Sequence, residues 1–315
     1  MITVAIPAYK SSYLLEAIES VLKQSYQNFE LIILDDGSPD NLSKLVSQFK
    51  DERIRFYKNE ENIGNIDLIK TWNRCLELAR GEYFVLFSDD DVYQPDFLKE
   101  MVELADKYPN TNLFHCRIQE INDSGDTITF SPVCPEWENV YSFIWHRIKL
   151  YRIQFAPDFM CRTEELKRIG GFINFPLGWG SDDATWFTLS KDFGVCYTQK
   201  VLFKWRNSSI NISKTGDYKK RFEAVKLYSK WLKNFVEKLD YKCDEDKNLC
   251  NEIKKEIYNW HDLSIRAILI KRLNNNYSDM IKLFFIWLRF RKKYSFNFQT
   301  FLKTLLSLLK YRIEL

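Results

Sequence analysis

Apolar residues follow two alternating rhythms along the first ninety positions. Thr3-Val4-Ala5-Ile6 is an uncharged run broken by Pro7, which reads as a short strand. Leu14, Ala17, Ile18, Val21 and Leu22 then recur at helical spacing, with Ser11 or Ser12 placed to cap that helix. Phe29-Glu30-Leu31-Ile32-Ile33-Leu34 predicts a second strand, ending in Asp35-Asp36-Gly37-Ser38. A helix over about residues 40–50 leads to a third strand, Ile54-Arg55-Phe56-Tyr57. Asn62-Ile63-Gly64-Asn65 precedes a helix carrying Ile66, Ile69, Leu76 and Leu78. Tyr83 to Phe87 is free of charge, the signature of a strand buried on both faces of a parallel sheet. Strand alternating with helix in this way predicts βαβ units. The chain beyond residue 213 keeps only the helical rhythm, over 217–240, 246–273, 277–293 and 298–311.

The chemistry concentrates where the charge-free strand stops, at Ser88-Asp89-Asp90-Asp91. Three adjacent carboxylates at the end of a buried strand are costly unless solvent or a cation compensates them. Ligands of open α/β sheets bind at the carboxyl ends of the strands. A solvated acidic turn is one reading. The other is a hard divalent cation, Mg²⁺ or Mn²⁺, which takes carboxylate oxygens together with the phosphates of a substrate.

Several short motifs in order favour the second reading. Pro7-Ala8-Tyr9, Asp35-Asp36-Gly37-Ser38, Asn62-x-Gly64, Gly81-Glu82-Tyr83, the acidic triplet and Tyr93-x-Pro95 resemble the family 2 glycosyltransferases. Gly170-Gly171-Phe172, Gly178-Trp179-Gly180-Ser181-Asp182-Asp183 and Trp186 extend the resemblance to about residue 213. It implies an α/β fold of the GT-A type, Rossmann-like, with a mostly parallel central sheet flanked by helices and, here, an all-helical extension. The implied catalytic domain is 1–213, with a nucleotide-binding half (1–95) and an acceptor-side half (96–213), followed by a basic extension (214–315). The implied reaction is an inverting transfer from a nucleotide sugar, UDP-linked, to a hydroxyl of a glycan or lipid-linked acceptor, supported by Mn²⁺ or Mg²⁺.

The resemblance also assigns residues. Asp36 matches the carboxylate that hydrogen-bonds the uracil ring, and Pro7, Ala8 and Tyr9 the segment that backs it. The family's metal motif is usually Asp-x-Asp-Asp, and its first position falls here on Ser88. Its second acid falls on Asp90, the expected metal ligand, with Asp89 toward the ribose and Asp91 for a secondary metal contact or for capping. Asp183 matches the general base, and Trp179, Gly180 and Asp182 the acceptor side, with Asp182 where the family often has Glu. Lys70 and Asn73 lie on a helical face that could point at the diphosphate; solvated surface is the competing reading. Lys204-Trp205-Arg206-Asn207-Ser208-Ser209 falls where the family often has a His or basic residue, which makes Arg206 the candidate for that charge.

Composition narrows the rest. With 315 residues, 45% apolar and 16% aromatic, the chain can bury a large core. The seven cysteines are scattered without a CxxC and read as reduced thiols of a cytosolic protein. His115, His146 and His261 lie outside every motif, so a zinc site is not expected. Met1 leads straight into the first strand, and no signal peptide is expected. From Lys214 onward 23 Lys and Arg stand against 12 Asp and Glu, whereas the first 213 residues carry 23 against 31.

The longest apolar run of the tail, Leu283 to Leu288, is far short of the roughly 20 residues a bilayer span needs. Phe284, Phe285, Trp287 and Phe290 beside Arg289, Arg291, Lys292 and Lys293 suit a helix lying on an anionic membrane surface. A helical bundle packed on the catalytic domain, or a homodimer interface, would have the same pattern. Nucleic acid is not expected, since no nucleic-acid-binding fold signature accompanies the charge. Two other functions stay open. A sugar-nucleotide-forming nucleotidyltransferase would want a Gly-rich basic loop where Pro7-Ala8-Tyr9-Lys10 stands. A non-catalytic assembly scaffold would not need Asp36, Asp90 and Asp183 together.

Overall fold

The structure is a computed structural model and describes residues 1–208, 217–273 and 277–313. The chain divides into two compact units, Met1–Asn174 with Ser181–Lys214, and Phe175–Gly180 with Thr215–Leu315. The expected boundary at 213/214 and Ser209 lie outside the described residues.

Among the described residues the first unit carries ten strands: β1 (Ile2–Ala8), β2 (Phe29–Asp35), β3 (Ile54–Lys58), β4 (Tyr83–Leu86), β5 (Val92–Tyr93), β6 (Leu113–Ile121), β7 (Thr127–Phe130), β8 (Trp137–Glu138), β9 (Phe159–Arg162) and β10 (Val195–Arg206). They form one sheet in the order β3-β2-β1-β4-β9-β6-β10-β5, with β7 on β6 and β8 on β10. The four strands of the N-terminal half are parallel, as the alternation of strand and helix requires. β9 then runs antiparallel between β4 and β6, while β6 and β10 pair in parallel. Ala8 stands opposite Asp35 and Ala5 opposite Leu86, so the segments after β1, β2 and β4 leave the sheet along one edge. That edge collects the carboxylates.

Helices α1 (Leu14–Leu22), α2 (Leu42–Val46), α3 (Gly64–Leu78), α4 (Phe97–Lys107), α5 (Val140–Ile148), α6 (Thr163–Arg168) and α7 (Ser181–Leu189) complete this unit. Two local expectations change. α1 is preceded by Tyr13 with no side-chain cap, because the Ser11 carbonyl, not a serine hydroxyl, accepts from Leu14 N. α2 spans five residues instead of about ten; Asn41 caps it, and beyond Ser47 the N–H groups of Gln48 and Phe49 donate three residues back, to Leu45 and Val46.

On one face of the sheet Ile6, Ile33, Val85 and Phe87 pack with Leu14, Ile18, Phe97 and Met101 of α1 and α4. The Tyr93 ring is stacked between Phe87 at 4.0 Å and Phe97 at 3.9 Å, and these residues flank the acidic turn in sequence. On the other face Phe159 stacks on Trp186 at 5.0 Å and Phe143 meets Phe187 edge-on at 5.2 Å, which seats α5 and α7.

The second unit consists of α8 (Tyr218–Glu237), α9 (Asp244–Arg272), α10 (Tyr277–Phe290) and α11 (Phe298–Ile313), around Phe222, Val225, Ile265, Leu269, Leu283 and Leu308. Phe175 meets Tyr228 edge-on within it. Among the described residues no helix is long and apolar enough to cross a membrane. The aromatic cluster of α10 divides: Phe290 is buried, Trp287 packs against Phe301, and Phe284 and Phe285 face outward with Ile281 and Leu288.

Candidate active site

The turn after β4 is held from two sides. Tyr9 and Lys10, immediately beyond β1, both donate their backbone N–H to Asp89 Oδ2, at 2.9 and 2.8 Å. Lys10 also brings its ammonium to 3.2 Å from Asp90 Oδ2. Asp91 Oδ1 accepts the backbone N–H of Arg206 at 2.8 Å, which ties the turn to the end of β10. Burial, and after it the neighbouring Asp90, raise the Asp89 carboxyl above its ordinary range and raise Asp91 further. Lys10 is the added cation that sequence reasoning passed over. Its motif position after Tyr9 marked it, but only the fold brings residues eighty apart together.

Arg206 has a different setting from the one its sequence position suggested. The residue is 2% exposed, with Nη2 2.6 Å from Glu16 Oε2, Nε donating to the Asp90 carbonyl at 2.9 Å, and the guanidinium over the Tyr13 ring. These contacts fasten β10 to the acidic turn. Lys10 brings its ammonium to the Asp90 carboxylate from the other side of the turn.

Asp36 is a four-fold acceptor. Asn59 Nδ2 (2.7 Å) and Ile63 N (3.1 Å) donate to Oδ1, and Gly64 N (2.7 Å) and Thr71 Oγ1 (3.1 Å) to Oδ2. All four lone pairs of the carboxylate are thereby used, and the side chain fixes the start of α3 beside the end of β2. A Cβ on Gly64 would lie 2.7 Å from Asp36 Oδ2. Gly37 has φ +64° and stands where a Cβ would come 2.5 Å from Asn62 N, so a side chain is excluded there on two grounds. Tyr9 keeps 39% of its surface exposed beside this edge, while Pro7 is partly and Ala8 fully covered.

Lys70 is exposed on α3. Asn73, further along the same helix, accepts the Phe172 N–H at 2.8 Å and abuts Gly171, which binds α3 to the Gly-Gly-Phe turn.

Asp183 lies in the first turn of α7 and is buried. Arg147 of α5 bridges its carboxylate through one atom, with Nε 2.9 Å from Oδ1 and 3.0 Å from Oδ2. Gln154 Nε2 adds a third bond to Oδ1 at 2.9 Å. The guanidinium is itself anchored, since Nη1 donates to the Arg152 carbonyl at 3.2 Å. Next to it, burial and then the charge of Asp183 push the Asp182 carboxyl up to about 7, with Arg147 opposing. Trp179 and Gly180 fall in the second unit. Arg221 lies over the Trp179 ring at 5.5 Å, and Gly180 (φ +79°) rests on the Tyr228 ring. Arg147 and Gln154 carry no sequence signal, because nothing in the segment 131–160 follows a motif.

Among the described residues no three His, Cys, Asp or Glu side chains converge as a ready metal cage. A Mg²⁺ or Mn²⁺ ion that completes its shell from substrate phosphates and water needs only one or two carboxylates. Asp90 suits that role. Asp89 Oδ2 and Asp91 Oδ1 are engaged with backbone N–H groups, whereas the Asp90 side chain faces the displaceable ammonium of Lys10.

Residues 3–162 match the profile of Glycosyl transferase family 2, half of the chain. An uncharacterized glycosyltransferase of Rickettsia typhi is 25% identical over 239 residues, 75% of this chain and 73% of its own length. The Escherichia coli protein WfgD, a UDP-Glc:alpha-D-GlcNAc-diphosphoundecaprenol beta-1,3-glucosyltransferase, is 25% identical over 231 residues, 71% of this chain and 85% of its own. S. aureus TarS, crystallised with UDP-GlcNAc, superposes with a TM-score of 0.64 at 16% identity, over 86% of this chain and 81% of that one, a likeness of fold. The strand-end carboxylates, the sheet they stand on and the sequence match agree, and this chain belongs to glycosyltransferase family 2.

Proposed function

We propose that the chain is a metal-dependent inverting glycosyltransferase that moves a sugar from a UDP-sugar to a hydroxyl of a glycan or lipid-linked acceptor in the synthesis of a surface polysaccharide. The observation that carries the reading is the pairing, in one unit, of an acidic turn at the ends of parallel strands with a separate, braced carboxylate, Asp183. The first is a diphosphate site and the second a base. The names of WfgD and TarS support the UDP-sugar donor, and WfgD's a lipid-linked acceptor.

In this reading Tyr9 supplies an exposed ring for the nucleobase, with Pro7 and Ala8 behind it, and Asp36 fixes the loop that frames it. Asp89 lies toward the ribose. Asp90, with Asp91 behind it, would hold the divalent cation, whose charge offsets that growing on the departing diphosphate. Asp183 accepts the proton of the acceptor hydroxyl as that oxygen bonds the anomeric carbon. The bond to the diphosphate breaks on the opposite face, and its electron pair leaves with the nucleotide. One base is sufficient, so no enzyme nucleophile is needed and the anomeric configuration inverts. Lys70 is kept as an exposed cation for the diphosphate side, and Asp182 as an acceptor contact.

The same reading puts the protein at the inner face of the cell membrane. Ile281, Phe284, Phe285 and Leu288 present an exposed apolar stripe on α10, next to Arg289, Arg291, Lys292 and Lys293 in sequence. Incubation with a panel of UDP- and GDP-sugars and Mn²⁺ tests the transfer. Release of UDP from one donor, lost on removal of the metal, is expected; release that is the same in EDTA would oppose metal dependence.

A further inference from the structure

The contacts of Asp183 are unequal on its two oxygens. Oδ1 accepts from both Arg147 Nε and Gln154 Nε2, which uses its two lone pairs, while among the described residues Oδ2 accepts from Arg147 Nε alone. The orientation of the Gln154 amide follows from the same contact, since its oxygen could not face a carboxylate. Arg147 is fixed in turn by the Arg152 carbonyl, and α5, which carries it, is seated by Phe143 on Phe187. The clamp therefore reaches the base from a different helix and a different loop.

We propose that Arg147 and Gln154 are positioning residues for the base, holding Asp183 so that the open lone pair of Oδ2 receives the acceptor's proton. Resting on the assignment of Asp183 as base, this adds which atom acts and what aims it. In the transfer step the acceptor O–H bond breaks toward Oδ2, the acceptor oxygen bonds the anomeric carbon, and the nucleotide diphosphate departs with the electron pair. Arg147 also keeps a positive charge against Asp183 while Asp182, on the same helix, opposes it. Buried Asp158 adds to the negative side through Asp182.

Arg147→Lys is the deciding variant: it keeps the charge but lacks the planar Nε and Nη1 pair that fixes the guanidinium between Asp183 and the Arg152 carbonyl. Gln154→Leu removes the other arm of the clamp. Hydrolysis of UDP-glucose or UDP-GlcNAc, with water as acceptor, is followed beside calorimetric UDP binding. In Arg147→Lys kcat should fall at least about tenfold while KM for the donor and UDP affinity keep their wild-type values. Gln154→Leu should show the same split, and it decides the matter if the Lys variant does not fold. Full hydrolysis in the folded variants, or UDP affinity lost in parallel with turnover, overturns the proposal. Turnover retained by Asp183→Asn would instead overturn the assignment of the base.

Discussion

Asp183 and Asp36 make opposite uses of a carboxylate, and substitution to Asn separates them. At Asp183 an oxygen is left for chemistry, so Asp183→Asn should lower turnover by roughly 10²–10⁴ with UDP affinity intact. Steady-state kinetics beside calorimetric UDP binding would check this. At Asp36 every lone pair is spent on the chain itself, and the NH₂ of an Asn would stand donor against donor with one of the two backbone N–H groups, that of Ile63 or that of Gly64. Asp36→Asn should therefore cost about 1–3 kcal/mol of stability, measurable by urea unfolding, as well as donor affinity. The positions of these acids were legible from the sequence, because strand ends and glycines mark them. Their partners were not. Asn59, Thr71, Arg147 and Gln154 belong to no motif, and Arg206 looked available only because its ring of contacts with Glu16, Tyr13 and Asp90 cannot be seen along the chain.

At the level of elements, the acidic turn depends on the aromatic stack formed by Phe87, Tyr93 and Phe97. These residues flank the turn in sequence and join β4, β5 and α4. Phe97→Ala should destabilise the unit by about 3–5 kcal/mol, the usual cost of emptying a fully buried aromatic site, and thermal unfolding would show it. The parallel half of the sheet was readable because uncharged strands and amphipathic helices alternate there with little ambiguity. The antiparallel β9 was not, since Phe159–Arg162 is four residues long and its place between β4 and β6 depends on long-range pairing. α2 fell short of its expected length because Gln48 and Phe49 bond three residues back, to Leu45 and Val46, a tighter turn than the α-helix. The tail helices were readable from their spacing; that Phe290 is buried and Phe285 exposed, with Phe284 half-exposed beside Phe301, depended on how α10 meets α11.

On the scale of the whole molecule, charge is segregated, with the surplus of Lys and Arg confined to the residues from 214 onward. If that surplus and the outward α10 stripe serve a membrane, the protein should sediment with vesicles containing anionic lipid and release as salt rises, because the attraction is screened over about 8–10 Å at physiological ionic strength. Each surface cation contributes about 1 kcal/mol at most, so replacing Arg289, Arg291, Lys292 and Lys293 by Gln should release most of the bound protein and leave UDP affinity unaltered. Equal binding to neutral and anionic vesicles would point away from the cations.

The catalytic assignment stands or falls most directly on UDP binding measured by calorimetry with Mn²⁺ and with EDTA, for the wild type, Asp90→Asn and Asp183→Asn. The expected result is UDP affinity that depends on Mn²⁺ in the wild type and in Asp183→Asn, and loses that dependence in Asp90→Asn. Affinity that is the same with and without metal in the wild type, or Mn²⁺ dependence that survives in Asp90→Asn, would contradict it.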